Sequence, residues 1–330
     1  MSETRFDILG IGNAIVDVLT NASEEFLTER KLDKGSMRII DSEEAETLYS
    51  EMGAGKEASG GSAGNTIAGV ASLGSRGAFV GKVRQDQLGE TFAHDIRELG
   101  VHFETKMATS GPPTARCLIL VTPDAQRTMN THLGACVTLT ESDVDEELVE
   151  ASAITYLEGY LWDPPEAKQA FRKAMGIAHG ANRKVALTLS DAFCVDRYRE
   201  EFCNLVDAEA DILFANEAEI ISLYKATSFD EALQQVKASG TLAALTRGER
   251  GSVVVTGSEV HEIACDPVAK VVDTTGAGDQ FAAGFLHGLT QGRDLPTCGR
   301  LGSLAAAEII SHYGARPETS LAQLAQEKGL

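Results

Sequence analysis

Strand-like and helix-like segments alternate regularly through the second half of the chain, which leaves few possible architectures. Strand signals occur at 153–161, 184–189, 211–215 and 242–246. Helical spacing of apolar residues occurs at 141–151, 165–179, 199–206, 217–224 and 230–238, and again at 278–290, 298–312 and 321–326, after a hairpin signal at 251–263. Strands that alternate with helices form right-handed crossovers and a parallel sheet covered on both faces. The sequence therefore predicts an α/β fold with a doubly wound, mainly parallel sheet.

The first half of the chain departs from this alternation, because two of its strand-like runs follow each other with no helical segment between them. Residues 6–12, 35–41 and 77–83 have strand character, and 86–99 has helical spacing. Thr114–Thr122 and Gln126–Leu133 are two strand-like runs joined by Pro123–Asp124, which indicates a hairpin. We expect one domain over 1–330 that carries a small β lid, built discontinuously within roughly 13–41 and 101–135.

Charge narrows the choice of partners. The 330 residues include 29 Lys and Arg against 49 Asp and Glu, a formal net charge of −20. Such a surface repels nucleic acid and anionic membranes, and no run of about 18 apolar residues suggests a membrane span. The N-terminus shows no signal peptide, and the six cysteines form no CxxC pair. We expect a cytoplasmic monomer or homodimer that binds small molecules, without a zinc site or a disulfide framework.

The segment Asp273–Phe285 (DTTGAGDQFAAGF) carries the strongest indication of chemistry. It enters a helix through a Gly-Ala-Gly turn, where small residues allow close approach and the first N–H groups lack helical partners. Such a turn binds anions. An acid in the first helical turn, Asp279, would lie beside the anion, where it could act as a general base on a hydroxyl nucleophile in phosphoryl transfer. The alternative is that Asp279 only favours the helix dipole.

Two other glycine-rich segments do not fit known nucleotide loops. Gly53–Glu57 (GAGKE) lacks the Ser or Thr after Lys that a Walker A loop requires. Gly10–Ile15 (GIGNAI) has Ile where a dinucleotide fold needs the third Gly or Ala.

Ser59–Gly74 forms a second candidate site. A glycine pair exposes backbone amides before a helix of small residues, and Asn65 offers both a donor and an acceptor just inside that helix. This combination suits a vicinal diol. Close helix–sheet packing is the alternative explanation for the later small residues, Ala68–Ala71.

Together these two segments resemble the two signatures of the PfkB-type carbohydrate and nucleoside kinases, which share the ribokinase fold, and the resemblance covers nearly the whole chain. Gly12–Asp17 (GNAIVD) looks like the opening G-N-x-x-x-D of the adenosine kinase branch. Leu187–Phe193 (LTLSDAF) and Val206–Glu219 are also more similar to that branch than to the ribokinases.

The resemblance implies roles for individual residues on the acceptor side. Asp279 corresponds to the catalytic base, and Asp17 to the acid that binds sugar hydroxyls. The anion hole corresponds to Gly276, Ala277 and Gly278. The sugar-contacting positions correspond to Asn13, Gly61, Ser62 and Asn65. In the lid, Leu133 and Ala135 correspond to positions that contact the nucleobase, and Arg127 is a candidate contact to phosphate. Closure of the lid would exclude water.

The resemblance also implies a nucleotide side with metal ions. Asn216 and Glu219 match an N-x-x-E motif that places Mg²⁺, often through water. Thr246, Gly248 and Gly251 match a T-x-G-x-x-G nucleotide loop. Asp273 and Thr275 correspond to positions that hold a monovalent cation such as K⁺ through carbonyl groups, with Thr275 also beside the nucleotide.

These observations predict an ATP-dependent kinase that phosphorylates the 5′-hydroxyl of a nucleoside, adenosine to AMP in purine salvage. A kinase for ribose or a fructose derivative is the alternative, because the shared motifs do not choose the acceptor. A non-catalytic nucleoside-binding module is a third possibility, against which the complete Gly-Ala-Gly-Asp turn argues.

Overall fold

The computed structural model describes residues 4–53, 55–124 and 126–330. Three parts of the sequence-based predictions lie outside these residues: positions 1–3 of the predicted domain, Ala54 of the Gly53–Glu57 segment, and Ala125 of the predicted lid. Within the described chain, no helix is both long enough and apolar enough to cross a lipid bilayer.

The described residues form thirteen strands and twelve α-helices, whose bounds follow. The strands are β1 (Phe6–Ile11), β2 (Ile15–Asn21), β3 (Met37–Ile39), β4 (Lys56–Gly60), β5 (Gly77–Val80), β6 (Ala115–Val121), β7 (Arg127–His132), β8 (Ser152–Glu158), β9 (Lys184–Thr188), β10 (Ile212–Asn216), β11 (Leu242–Thr246), β12 (Ser252–Thr256) and β13 (Glu259–Ile263). The helices are α1 (Glu24–Glu29), α2 (Ser42–Glu51), α3 (Ser62–Ser72), α4 (Gln87–Glu98), α5 (Glu146–Glu150), α6 (Pro165–Gly180), α7 (Ala192–Ala208), α8 (Glu217–Tyr224), α9 (Phe229–Ser239), α10 (Ala277–Thr290), α11 (Leu295–Ile309) and α12 (Leu321–Glu327).

The larger sheet has eight strands in the order β13-β12-β11-β10-β9-β8-β1-β5. Its pairs from β11 to β5 are parallel, and β12 and β13 add an antiparallel hairpin at one edge. The chain runs from β1 to β5 on one side and later from β8 to β11 on the other. The strand order therefore reverses between β1 and β8, and such a point forms a crevice at the carboxyl ends of the strands. The predicted doubly wound, mainly parallel sheet is confirmed.

Both faces of this sheet are covered, as the alternation of strand residues requires. On β10, Ile212 and Phe214 pack in one core with α3 and α10, whereas Leu213 and Ala215 pack in a second core with α6 to α9. Successive strand residues point to opposite faces, so a strand between two helical layers is apolar throughout.

A second sheet of five strands has the order β3-β7-β6-β2-β4. The hairpin predicted from the Pro123–Asp124 turn is present, because β6 and β7 pair antiparallel. The predicted boundaries of the small β element need one correction. Strand β4, Lys56–Gly60, pairs with β2 and belongs to this sheet although it lies outside the ranges 13–41 and 101–135. Its sequence, KEASG, has little β propensity, so only its pairing with β2 makes it a strand.

Local hydrogen bonds explain where several helices differ from the sequence-based bounds. The helix predicted at 199–206 forms the second part of α7, after non-helical backbone at Tyr198 (φ of −125°, ψ of 27°). The first part, which the spacing did not indicate, begins at Ala192, because the Asp191 side chain accepts a hydrogen bond from the Cys194 N–H and caps it. The helix predicted at 141–151 is divided into a 3₁₀ turn at Glu141–Asp143 and the short α5. Side-chain caps of this kind fix helix starts that apolar spacing alone leaves undefined.

Candidate active site

The sequence-predicted site residues converge at the carboxyl edge of the large sheet, where it faces the second sheet. Gly12 and Asn13 directly follow β1, and Glu158 ends the neighbouring strand β8. Asn216 and Thr246 end β10 and β11 farther along the same edge. This edge at the strand-order reversal is where open α/β sheets bind ligands.

Two helices begin at this edge after glycines in the left-handed region. Gly61 precedes α3 with φ of 87°, and Gly276 precedes α10 with φ of 78°. A Cβ atom on Gly61 would lie 2.1 Å from the Asn13 carbonyl oxygen, and one on Gly276 would lie 2.8 Å from the Ala315 Cβ. A Cβ on Gly278 would meet nothing within 4 Å, which leaves open space beside the turn. Both helix starts therefore need glycine, and the α10 turn leaves room for a ligand.

Asp279, in the first turn of α10, is held by two donors from α3. Its Oδ1 accepts a hydrogen bond from the Ser62 hydroxyl at 2.6 Å, and its Oδ2 accepts one from the Asn65 amide at 3.0 Å. Burial raises the pKa of Asp279 to about 6, while these hydrogen bonds and the charge of Arg316 act in the opposite direction. The carboxylate is ionised at neutral pH and can accept a proton from a substrate hydroxyl.

Asp17 lies on β2 of the second sheet, across the cleft from Asp279. A Cβ on Gly60 would lie 2.5 Å from the Asp17 Oδ2, so the neighbouring strand leaves no room for a side chain there. Burial raises the pKa of Asp17 to about 6; Arg316 and Arg127 lower it, and the charge of Asp279 raises it. The charge of Arg316 therefore lowers the pKa of both carboxylates, which face each other at the opening between the sheets.

Glu158 is a site residue that the sequence did not indicate. Its side chain is 1% exposed and accepts hydrogen bonds from the Asn13 amide at 2.7 Å and from the Ala63 N–H at 2.8 Å. Burial raises its pKa to about 7, although those donors lower it. Glu158 joins the end of β1 to the start of α3. A glutamate at the end of an apolar strand has no distinctive spacing, so the sequence offered no signal for it.

Arg316 is the second residue missed by sequence reasoning. It follows α11 in the segment GARP, far along the chain from the glycine-rich motifs, and its Nη2 donates to the Ser59 hydroxyl at 3.2 Å. Burial lowers the pKa of Arg316 to about 10, while Asp17, Asp95 and Asp279 raise it. An arginine in a loop is usually a surface residue, and only the tertiary structure brings it between the acids.

The predicted sugar-binding side of the cleft contains buried polar atoms that make no hydrogen bond with the described residues. Buried atoms without a partner include Oδ1 of Asn13, Oδ1 of Asn65, and Nε and Nη1 of Arg316. Most buried polar atoms in proteins have a partner, and such a concentration at one cleft indicates a polar ligand. Donors and acceptors are both present, which suits a polyhydroxylated molecule.

A cavity of about 360 Å³ connects the catalytic candidates with the end of β10. Its lining includes Asp279 and Ser62 and the predicted nucleotide-side residues Thr275, Asn216 and Glu219. A larger, mainly apolar cavity of about 470 Å³ adjoins it and is lined by the predicted loop residues Thr246, Gly248 and Gly251. Both cavities are bordered by Ala277 and Gly278. The α10 turn therefore stands between a polar compartment and an apolar compartment.

Asn216 and Glu219 form a reciprocal cap at the start of α8. The Glu219 N–H donates to Asn216 Oδ1 at 2.9 Å, and the Asn216 N–H donates to Glu219 Oε2 at 2.9 Å. Burial raises the pKa of Glu219 to about 7. Among the described residues no group of three or more His, Cys, Asp or Glu could hold a metal ion directly. One carboxylate with an amide facing a polar cavity fits Mg²⁺ bound through water and substrate phosphates.

Asp273, at the start of the DTTGAGD segment, already has several partners. Its Oδ1 accepts from the Thr275 N–H at 3.1 Å, its Oδ2 accepts from the Gly314 N–H at 3.1 Å, and Arg127 Nη1 lies 2.8 Å from Oδ2. Because Arg127 balances its charge, the side chain of Asp273 does not fit a monovalent cation. The cation role of Asp273 and Thr275 through their carbonyl groups stays a prediction.

Leu133 and Ala135, the lid residues predicted to contact the nucleobase, do not line the cavity that contains Asp279. Ala135 is fully buried in a 3₁₀ turn at Gly134–Thr138, and Leu133 precedes that turn partly exposed. The side chain of Ala135 is therefore inaccessible in this conformation, and the base-contacting role of both lid residues stays a prediction.

A carboxylate beside a glycine-rich helix start, at the carboxyl edge of a doubly wound sheet, is an arrangement suited to phosphoryl transfer to an alcohol acceptor. The sequence model of the pfkB family carbohydrate kinases matches residues 33–321, and this chain belongs to that family. The predicted family and the predicted ATP-dependent kinase class are thereby confirmed.

The relatives of this chain include proteins named as adenosine kinases and one named as a probable sugar kinase. The structure of adenosine kinase from Sinorhizobium meliloti is 54% identical, with a TM-score of 0.91 and coverage of 98% of this chain and 99% of that chain. A probable sugar kinase from Rhizobium etli CFN 42 is 52% identical, with a TM-score of 0.92 and coverage of 99% of both chains. Adenosine kinase from Saccharomyces cerevisiae is 28% identical over 92% of this chain and 94% of its own length.

Proposed function

We propose that this protein transfers the γ-phosphate of ATP to the 5′-hydroxyl of a nucleoside, adenosine to AMP. The observation that carries the proposal is the Asp279 carboxylate, held by Ser62 and Asn65 beside the Gly276–Gly278 turn. Similarity to adenosine kinases supports the choice of acceptor. A kinase for ribose or a fructose derivative is the second candidate, favoured by the similarity to the probable sugar kinase.

In this mechanism Asp279 removes the proton of the 5′-hydroxyl as its oxygen attacks the γ-phosphorus. The bond between the γ-phosphorus and the bridging oxygen breaks, and ADP leaves. The N–H groups of Gly276 and Gly278 would donate to the transferring phosphoryl group. The Ala277 N–H donates to the Thr274 carbonyl oxygen at 3.2 Å and would exchange that bond to join them. Asp17, Asn13 and Asn65 hold the sugar hydroxyls.

The nucleotide would lie across the two cavities that share the α10 turn, its base in the apolar one lined by Thr246, Gly248 and Gly251. Asn216 and Glu219 would hold Mg²⁺ through water. When bound, the ion neutralises charge on the phosphates. A monovalent cation such as K⁺ at the carbonyl groups of Asp273 and Thr275 remains part of the proposal.

We also propose that the five-stranded sheet acts as a lid over the acceptor. Asp17 on β2 and Arg127 on β7 come from this sheet, so an acceptor would be enclosed between it and the large sheet. Closure would exclude water from the reacting phosphate, which suppresses hydrolysis of ATP.

One assay tests the proposal. Purified protein with ATP and Mg²⁺ is offered adenosine, inosine, guanosine, ribose and fructose phosphates in turn, and ADP formation is coupled to a spectroscopic readout. We expect the highest kcat/KM with adenosine and AMP as the product. Turnover of a sugar with none of adenosine would contradict the nucleoside assignment and support the second candidate.

A further inference from the structure

The guanidinium of Arg316 lies in the acceptor cleft with most of its hydrogen-bonding capacity unused. Its Nη2 donates to the Ser59 hydroxyl, and a Cβ on Gly64 would lie 3.5 Å from this nitrogen. The guanidinium therefore lies beside Gly64, in the first turn of α3. Its Nε and Nη1 are buried and have no partner among the described residues. A purely structural arginine at such a site would use these donors.

The charges around Arg316 come from three acids, yet none of them touches it. Asp17, Asp95 and Asp279 all favour its charged form. The ion pairs within 4.0 Å in the described chain do not include Arg316, whereas Arg127 and Asp273 make such a pair nearby. A gap therefore separates the guanidinium from the carboxylates that its charge influences, and polar groups at this separation are commonly bridged by a third group.

The chemistry of the two sides specifies what can fill the gap. An ionised carboxylate only accepts hydrogen bonds, and a guanidinium only donates them. A bridging group must therefore donate to one side and accept from the other. A hydroxyl does both, whereas a carbonyl oxygen only accepts and an ammonium only donates. The surrounding acids also favour an uncharged ligand over an anionic one.

We propose that Arg316 and Asp17 together recognise one hydroxyl group of the acceptor, with Arg316 donating to the hydroxyl oxygen and Asp17 accepting its hydrogen. The proposal deepens the proposed function and rests on it. Arg316 is then a specificity-determining residue, because an acceptor that lacks this hydroxyl leaves both charged groups unsatisfied in a buried place.

The test is a double-mutant cycle between protein and acceptor. Wild type and Arg316→Met are assayed with adenosine, 2′-deoxyadenosine and 3′-deoxyadenosine. In wild type, we expect loss of the recognised hydroxyl to lower kcat/KM by about ten- to a hundredfold, the range for a hydrogen bond to a charged group. In Arg316→Met, the same loss should be smaller by about fivefold or more, since interacting groups are not additive. Equal losses in both proteins, for both deoxynucleosides, would overturn the proposal.

Three further variants separate recognition from folding. Arg316→Lys keeps the charge but loses the planar donor fork, so its preference for the hydroxyl should lie between those of wild type and Arg316→Met. Asp17→Asn should weaken the same preference. Arg300→Met, at an exposed position on α11 outside the site, is the matched control and should leave both kcat/KM and the preference unchanged. If Arg316→Met fails to fold, the comparison of Arg316→Lys with wild type decides.

Failure of this inference can be told apart from failure of the proposed function. Wild type that forms AMP but shows additive losses contradicts only the role of Arg316. Wild type that forms no AMP contradicts the nucleoside assignment, and the same variants are then assayed with ribose and 2-deoxyribose. Additive losses there would also overturn the role of Arg316, whereas a reduced preference in Arg316→Met would support it for a sugar acceptor.

Discussion

At the scale of single residues, the carboxylate of Asp279 combines the two properties that a general base needs. Hydrogen bonds from Ser62 and Asn65 fix both of its oxygens, so it is positioned before a substrate arrives. Burial raises its pKa to about 6, which makes it a stronger base than an exposed aspartate while it remains ionised at neutral pH.

Asp279→Asn should lower kcat by about 10²- to 10⁴-fold, because the amide cannot take the proton of the attacking hydroxyl. Ser62 and Asn65 can still contact the side chain, so nucleoside affinity measured by calorimetry should change little. The control is Asp207→Asn, an exposed position on α7. An Asp279→Asn enzyme with wild-type kcat would exclude the base role.

The dependence of kcat/KM on pH should show the raised pKa of Asp279. The ionised base is the active form, so activity is retained above the pKa and lost as the pH falls through about 6. Asp17, with its pKa also raised to about 6, titrates in the same range and adds to the loss. Initial rates at low acceptor concentration give the midpoint. A midpoint near 4, as for an ordinary carboxyl group, would contradict a desolvated base.

At the scale of elements, the site depends on the close packing of α3 against α10. A Cβ on Gly69 of α3 would lie 2.1 Å from Gln280 Oε1 and 2.7 Å from the Ala283 Cβ. Gln280 also donates to the Asn65 carbonyl oxygen at 2.9 Å and to the Ala315 carbonyl oxygen at 3.1 Å. The small residues of α3 therefore set the separation of the two helices that carry Asp279 and its donors.

Gly69→Ala should lower the free energy of unfolding by about 1–3 kcal/mol, because the added methyl group overpacks the contact between the helices. The matched control is Gly176→Ala in α6, where a Cβ would meet nothing within 4 Å. That change should raise stability by roughly 0.5–1 kcal/mol, since alanine favours a helix over glycine. Denaturant unfolding followed by circular dichroism measures both, and a stabilised Gly69→Ala would show that α3 and α10 can separate freely.

At the scale of the whole molecule, a buried ion pair connects the small sheet to the loop before α10. Arg127 begins β7 of the small sheet and Asp273 precedes α10, and their side chains are 7% and 9% exposed. Arg127 also lies over the Tyr313 ring at 5.2 Å. The small sheet is thereby attached directly to the loop that leads into the catalytic turn.

Arg127→Met should weaken this attachment, because it leaves the Asp273 carboxylate buried without its charge partner. We expect faster hydrogen exchange in β6 and β7, a lower kcat, and a larger fraction of ATP hydrolysed without acceptor, since water would reach the phosphate. Mass spectrometry of the exchanged protein and an ADP assay without acceptor give these quantities. Arg300→Met serves as the control, and unchanged exchange in both strands would contradict the lid proposal.

The sequence by itself determined the parallel α/β sheet, because the periods of strands and helices and the glycine turns are local properties. It also singled out Asp279 and the glycines of both helix starts, since a helix N-terminus preceded by small residues binds anions wherever it occurs. Only the tertiary structure decided that Glu158 fastens Asn13 to α3, that Arg316 lies among three acids, and that Lys56–Gly60 joins the small sheet. These features depend on contacts between residues distant along the chain, whose partners leave no periodic signal in the sequence.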